Sequence, residues 1–246
     1  MGIVDPGNGK QSTEQVYARV RSAILNGELE AGSVMSQVSL AESLGISRTP
    51  LREALRQLQG ERLIESEPNR RVRVTPLSPH DLEELWILRV TLEAQAIRLA
   101  VEQMDPEAIA RLEGFMAEMA HYADVKDYRR WTSPHRAFHR QLTAPAGERI
   151  NHLLGELFDH AERYRRIHIG HGPGAWATAD HRVILDACKA GERDRAAAAL
   201  AGHLARTAFE VSALLDPDYD LQRLRSTLTD LGVEMPEPKA RRKRRK

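Results

Sequence analysis

The chain has 246 residues, 41% hydrophobic and 29% charged, with a formal net charge of +1. That suits a globular protein of two domains and by itself argues neither for nor against nucleic acid. Its single cysteine, Cys188, excludes an internal disulfide and suits a reducing cytoplasm, and neither a signal peptide nor an apolar run of 18 residues is present.

Leu, Ala, Glu and Arg dominate and aromatics make up 5%, which favours helix. Residues 1–12 are polar and are expected to be disordered. From Thr13, Val16, Val20, Ile24 and Leu25 recur at helical spacing, and Asn26-Gly27 ends that helix. Two short helices are predicted over Val38–Leu44 and Arg48–Gln59, separated by Gly45-Ile46-Ser47. Leu63–Ser66 and Val72–Thr75 read as strands around a polar turn, hence a hairpin. Residues 13–75 form this first domain and 76–78 a linker. Ser78 then offers an N-cap, Pro79 the first helical position and Asp81 a first-turn carboxylate. Helices are predicted at 79–103, 106–122, 127–143, 148–169, 176–190 and 192–214, with breaks at Asp105-Pro106, Ala144–Gly147, Gly170–Gly174 and Gly191. Six amphipathic helices with short connections predict an antiparallel all-α bundle over 79–215, so the fold class is mainly α. The extension 216–246 holds a short helix near Tyr219–Leu231 and the basic run Lys239–Lys246. That run either adds nonspecific DNA affinity through counterion release or is a disordered tail.

A helix, a tight turn with glycine and a second helix form a helix-turn-helix pattern. Ala41 permits a close helix crossing, Gly45 sits at the reversal, and Leu40, Leu44, Leu51, Leu55 and Leu58 give both helices one apolar face. Arg48, Arg52 and Arg56 fall at i, i+4 and i+8, a basic stripe able to reach phosphates and guanine edges. Ser47 is placed to cap the second helix, whose first N–H groups favour a phosphate. From Ser47 to Arg73 seven arginines face four glutamates, a local balance of +3. Arg70, Arg71 and Arg73 make the hairpin a basic wing.

The stretch from Leu40 to Leu58, LAESLGISRTPLREALRQL, closely resembles the signature of the GntR family of transcriptional regulators. The resemblance implies a winged helix-turn-helix, a homodimer and a palindromic operator. It implies that Arg48 and Arg52 contact DNA while Ser47 and Thr49 touch phosphates. Arg62 stands where the family usually has Gly, and Arg71 where its wing tip usually carries Gly.

Four histidines form a second pattern. His135 and His139 share one helix face, beside Phe138 and Leu142. His181 lies on a stripe with Ile184, Leu185 and Cys188, and His203 on one with Leu200, Leu204 and Thr207. His181 lies ten residues before Gly191 and His203 twelve after it, so an antiparallel pair brings both imidazoles to within about 3 Å in height. Converging imidazoles in a bundle core suit Zn²⁺ or a similar divalent metal such as Ni²⁺ or Mn²⁺; they also suit core histidines bonded to backbone or water. Arg163, Arg165 and Arg166 with Tyr164 read as a solvated face; His160, His168 and His171 lie near the 170–174 glycine loop and carry little signal, a spare-ligand role being the lesser alternative for them.

Residues 79–215 resemble the FCD effector domain of one GntR subfamily. Many members carry Asp-x-x-x-His on one helix and single histidines on the last two, and His139, His181 and His203 match by order and spacing. His135 stands in the aspartate's place, which removes the anionic protein ligand and suits an anionic effector. The resemblance also pairs Arg89 with Glu93, either as a clamp on an effector carboxylate or as a buried ion pair. The resulting expectation is a cytoplasmic, ligand-released repressor rather than an enzyme, with a small carboxylic acid as effector. A metal-dependent hydrolase or a metabolite-binding bundle would use the same histidines; the former lacks an HExxH or comparable glutamate.

Overall fold

A computed structural model describes residues 12–69, 71–169 and 178–233. The N-terminal tail up to residue 11, Arg70, His171, the Gly170–Gly174 break and the basic run 239–246 lie outside the described residues. The chain divides into two compact units between Ser78 and Pro79.

In the first unit, α1 (Thr13–Leu25) starts on a capping box in which Ser12 and Gln15 satisfy each other's backbone N–H. A short β1 (Val34–Ser36) leads into α2 (Gln37–Leu44). Gly45 closes α2 at φ +63°, where a side chain would be strained, and the chain turns into α3 (Arg48–Gly60). β2 (Ile64–Glu67) and β3 (Arg71–Val74) follow. The antiparallel sheet has the order β1-β3-β2, so the expected hairpin gains a third strand among the described residues. Val72 and Val74 point inward while Arg71 and Arg73 point away, as the two-residue period of a strand requires. Val16, Val20, Ile24, Leu40, Leu51, Leu55, Leu58 and Leu63 complete one apolar core beneath α3.

Arg62 connects α3 to β2 at φ +58°, the left-handed conformation for which the family's glycine is suited. An L side chain there costs roughly 1–2 kcal/mol, partly offset in glycine by a more flexible unfolded chain. Arg62→Gly is therefore expected to stabilise this unit by about 1 kcal/mol. The 2.8 Å bond from Thr75 Oγ1 to the Arg62 carbonyl is to backbone and survives the change. A chemical-denaturation midpoint that fails to rise would show that the strain is absorbed elsewhere. Arg71 by contrast is extended and paired in β3, and the positive φ of the wing turn falls on Asn69.

The second unit comprises α4 (Pro79–Val101), α5 (Pro106–Asp124), α6 (Tyr128–Thr143), a 3-10 turn (Ala144–Ala146), α7 (Glu148–Ile169), α8 (Ala179–Lys189), α9 (Arg193–Leu215) and α10 (Gln222–Asp230). Its central layer is α4 against α9 and α7. Trp86 of α4 is fully buried, donates from Nε1 to the Leu204 carbonyl at 2.8 Å, and meets Tyr164 edge-on at 6.0 Å. The short C-terminal helix α10 packs on α4 and α9 through Leu224 and Leu228. Its start is held by the buried Glu83 carboxylate, which accepts from the backbone N–H of Arg223 and Leu224 and from the Tyr219 hydroxyl. An anion at a helix N-terminus meets otherwise unsatisfied donors, which explains a charged side chain at that depth.

Candidate effector pocket and DNA-reading surface

On α3, Leu51, Leu55 and Leu58 commit one face to the core, which leaves Arg48, Arg52 and Arg56 together on the exposed face. None of these three makes an ion pair among the described residues, so their guanidinium groups remain available to a polyanion. Ser47 occupies the N-cap position with extended backbone, but its side chain makes no capping hydrogen bond. Its hydroxyl and that of Thr49 are both exposed at the helix start. Arg71 is exposed on the wing, whereas Arg73 is drawn to Glu67 at 2.7 Å.

In the second unit α6 delivers His135 and His139, α8 delivers His181 and α9 delivers His203. Their ring nitrogens gather so that one from each lies within 4.8 Å of the others. The His181 and His203 ring centres are 4.4 Å apart, in line with the matched heights expected from the Gly191 turn. Trp131, one turn before His135, stacks on it at 4.5 Å. Three of the four histidines are buried and His203 nearly so. Neither ring nitrogen of His139 nor the Nδ1 of His135 has a hydrogen-bond partner. Buried nitrogen lone pairs without protein partners fit the donor set of a metal site. Burial pushes His135 and His139 well below the ordinary histidine value, the Arg165 charge adding to this at His135 and the His203 ring at His139. Both are thus neutral, the form that ligates.

Carboxylates surround the cluster at one remove. Asp180 Oδ2 lies 3.4 Å from His203 Nδ1 and also holds Arg206, an arrangement that turns the other nitrogen of His203 inward. Hydrogen bonds from His203 and Arg206 hold the Asp180 carboxyl well below the usual carboxylate range. Glu93 Oε2 lies 3.9 Å from His139 Nδ1. Arg89 is buried and donates from Nε to Glu93 at 2.8 Å, so the buried ion pair is present. Its guanidinium also lies over the Trp86 and Phe158 rings while lining the histidine cavity.

The expected solvated face on α7 is not what the structure shows. Tyr164, Arg163 and Arg165 are buried at 1%, 6% and 9% exposure, and only Arg166 of that group is exposed. One face of α7 packs on α4 and α9, and Arg165 turns inward against Trp131. His168 lines the cavity but pairs with Glu210 at 2.6 Å, and His160 stands outside the cluster. Trp131 was within reach of the i, i+4 rule from His135, whereas Asp180 and Arg165 depend on how α8, α9 and α7 pack.

The histidine cavity measures about 30 Å³. A second cavity of about 430 Å³ lies between α5, α6 and α7, and His139 and Phe158 border both.

Residues 12–74 match the model of "Bacterial regulatory proteins, gntR family" and residues 84–206 that of the FCD domain. The chain is 31% identical to the "Probable D-xylose utilization operon transcriptional repressor" of Paenarthrobacter nicotinovorans, over 78% of this chain and 84% of that protein. The solved structure of E. coli McbR/YncC matches with a TM-score of 0.69 at 23% identity, over 85% of this chain and 98% of that one. A GntR-family regulator from Pseudomonas syringae pv. tomato str. DC3000 matches with a TM-score of 0.50 at 28% identity, over 89% and 88% of the two chains. With an exposed arginine stripe on its second helix-turn-helix helix and a separate helical domain that matches the FCD model, this chain belongs to the GntR family of DNA-binding transcriptional regulators, in its FCD subfamily.

Proposed function

We propose that the chain is a cytoplasmic, homodimeric repressor that leaves a palindromic operator when a small carboxylic acid enters its histidine pocket. The observation that carries this reading is the convergence of His135, His139, His181 and His203 within 4.8 Å, three of them fully inside the bundle. His139, His181 and His203 would hold a divalent metal such as Zn²⁺, Ni²⁺ or Mn²⁺, with His135 as a fourth ligand. The metal would act as a Lewis acid toward the effector's carboxylate. Arg89 adds positive charge at the same cavity. With a histidine in place of the family's aspartate, the metal's charge is met by no anionic ligand, which favours an anion from solution. Dimerisation is supported by the reading task itself, since one small reader makes a small interface and a palindromic site needs two. No helix among the described residues is long and apolar enough to cross a membrane.

The test is a mobility shift on the chain's own promoter region, run with Zn²⁺ and a panel of small carboxylic acids. Binding to a two-fold symmetric site and release by one acid only in the metal-loaded protein is the expected result. A band that no acid moves, with or without metal, would overturn the effector reading.

A further inference from the structure

Beside the histidine nitrogens, the cavity is lined by a charged group with an unsatisfied donor, Arg165. Its guanidinium is nine-tenths buried, with the Trp131 ring 5.3 Å beneath its central carbon. Glu162, three residues earlier on α7, takes Nε at 3.0 Å and Nη2 at 2.5 Å in a two-pronged contact. That contact fixes the plane of the fork, and Nη1 is left buried with no hydrogen-bond acceptor. A buried donor on a charged group that finds no acceptor is costly, and a native fold that keeps one needs an ion, ligand or water to complete it. Arg165 lines the same small cavity as the four histidines and Arg89. Its charge is felt at His135, whose protonation it opposes.

Among the described residues no acceptor completes Nη1. Imidazole nitrogens committed to a metal cannot accept, and Glu162 and Glu93 are occupied by Arg165 and Arg89. A cavity of about 30 Å³ holds roughly two water-sized atoms, so beside a metal it admits only the oxygen end of a compact head group. Two guanidinium groups, a metal with no anionic ligand and a space of that size select a compact anion over a neutral molecule.

We propose that Arg165 is an anion anchor of the histidine pocket, its Nη1 donating to a carboxylate oxygen of the effector while Glu162 holds the guanidinium in position. This assignment rests on the reading of that pocket as the effector site. It gives the effector a free carboxylate as an obligatory head group. Anything larger has the neighbouring cavity of about 430 Å³ beyond His139 and Phe158 to extend into.

The experiment uses the full chain loaded with Co²⁺, read by its visible absorption, with acetate as probe and acetamide as its neutral counterpart. In the unmodified chain acetate is expected to change the Co²⁺ spectrum and acetamide at equal concentration to leave it. Arg165→Gln is expected to keep the Co²⁺ spectrum but to raise the acetate midpoint about ten- to hundredfold, the loss of one charge-assisted hydrogen bond. Glu162→Gln, which loosens the guanidinium without removing it, is expected to raise the acetate midpoint by several-fold less than Arg165→Gln does. If Arg165→Gln fails to fold, Arg165→Lys carries the same readout, since it keeps the charge and loses the planar fork. Acetate binding that survives removal of the guanidinium overturns the role of Arg165 alone. Equal losses in Arg165→Gln and Glu162→Gln overturn it too, since they mark a merely structural pair. An unmodified chain that takes up no Co²⁺, or whose Co²⁺ spectrum ignores acetate, overturns the effector-site reading and the anchor with it.

Discussion

Zn²⁺ added to the purified chain is expected to raise its unfolding temperature, and His139→Ala/His181→Ala to erase that gain. At a hundredfold excess over its dissociation constant a ligand that binds only the folded state contributes about 2.7 kcal/mol. The double variant leaves His135 and His203, and two imidazoles rarely hold an ion against water. Both positions are buried, so truncation leaves cavities, and the gain is therefore read for each protein against its own metal-free unfolding temperature. The first unit has its own core, so the variant should keep DNA binding while losing metal and effector response. His135→Asp, which restores the carboxylate the family usually carries there, is expected to tighten the metal by adding an anionic ligand.

The pH dependence has a definite sign. Because burial depresses His135 and His139 below about 6.5, protons compete with metal for these rings only at lower pH than for an exposed imidazole. In the metal-free protein the unfolded chain takes up those protons first. Its stability therefore falls as pH drops below about 6.5 toward the lower folded-state values. Elemental analysis of protein purified without a tag or chelator tests the metal directly. A metal-free preparation whose thermal stability ignores Zn²⁺, Ni²⁺ and Mn²⁺ would leave the histidines lining a metal-free pocket.

How much of this was legible in the sequence depends on how local the cause was. Gly45 and the leucines around it form a pattern within 20 residues, so the helix-turn-helix could be read directly. The four histidines were readable because helical spacing places His135 and His139 on one face, and a short turn at Gly191 equalises the heights of His181 and His203. Strand β1 was not readable: three residues carry no period, and Val34 becomes a strand only by pairing with Arg73 far along the chain. Arg165 was misread for a related reason. Four polar residues in the run Glu162–Arg166 look like solvent-facing chain, and only the packing of α7 puts Arg165 against Trp131. Glu83 and Asp180 likewise gain their roles from partners on other helices, at the start of α10 and at His203.

Arg48→Ala and Arg52→Ala are each expected to weaken binding to the operator by about 1–3 kcal/mol, a loss of roughly 5- to 150-fold, while leaving the fold intact. Both side chains are exposed and make no ion pair among the described residues, so truncation removes no internal contact. They stand at the start of α3, where a helix entering the major groove brings its first turns against base edges. Arg56 lies two turns beyond Arg48 and one beyond Arg52 on the same face and is suited to a phosphate. Arg56→Ala should therefore weaken all DNA about equally and lower the salt slope by roughly one counterion. The contrast separates reading from gripping. Titration of labelled operator and a scrambled duplex across a salt series, followed by anisotropy, measures both. Arg48→Ala and Arg52→Ala should narrow the gap between the two duplexes, and Arg56→Ala should preserve it. If both of the first two variants bind operator as the unmodified chain does, α3 is not the helix that reads DNA.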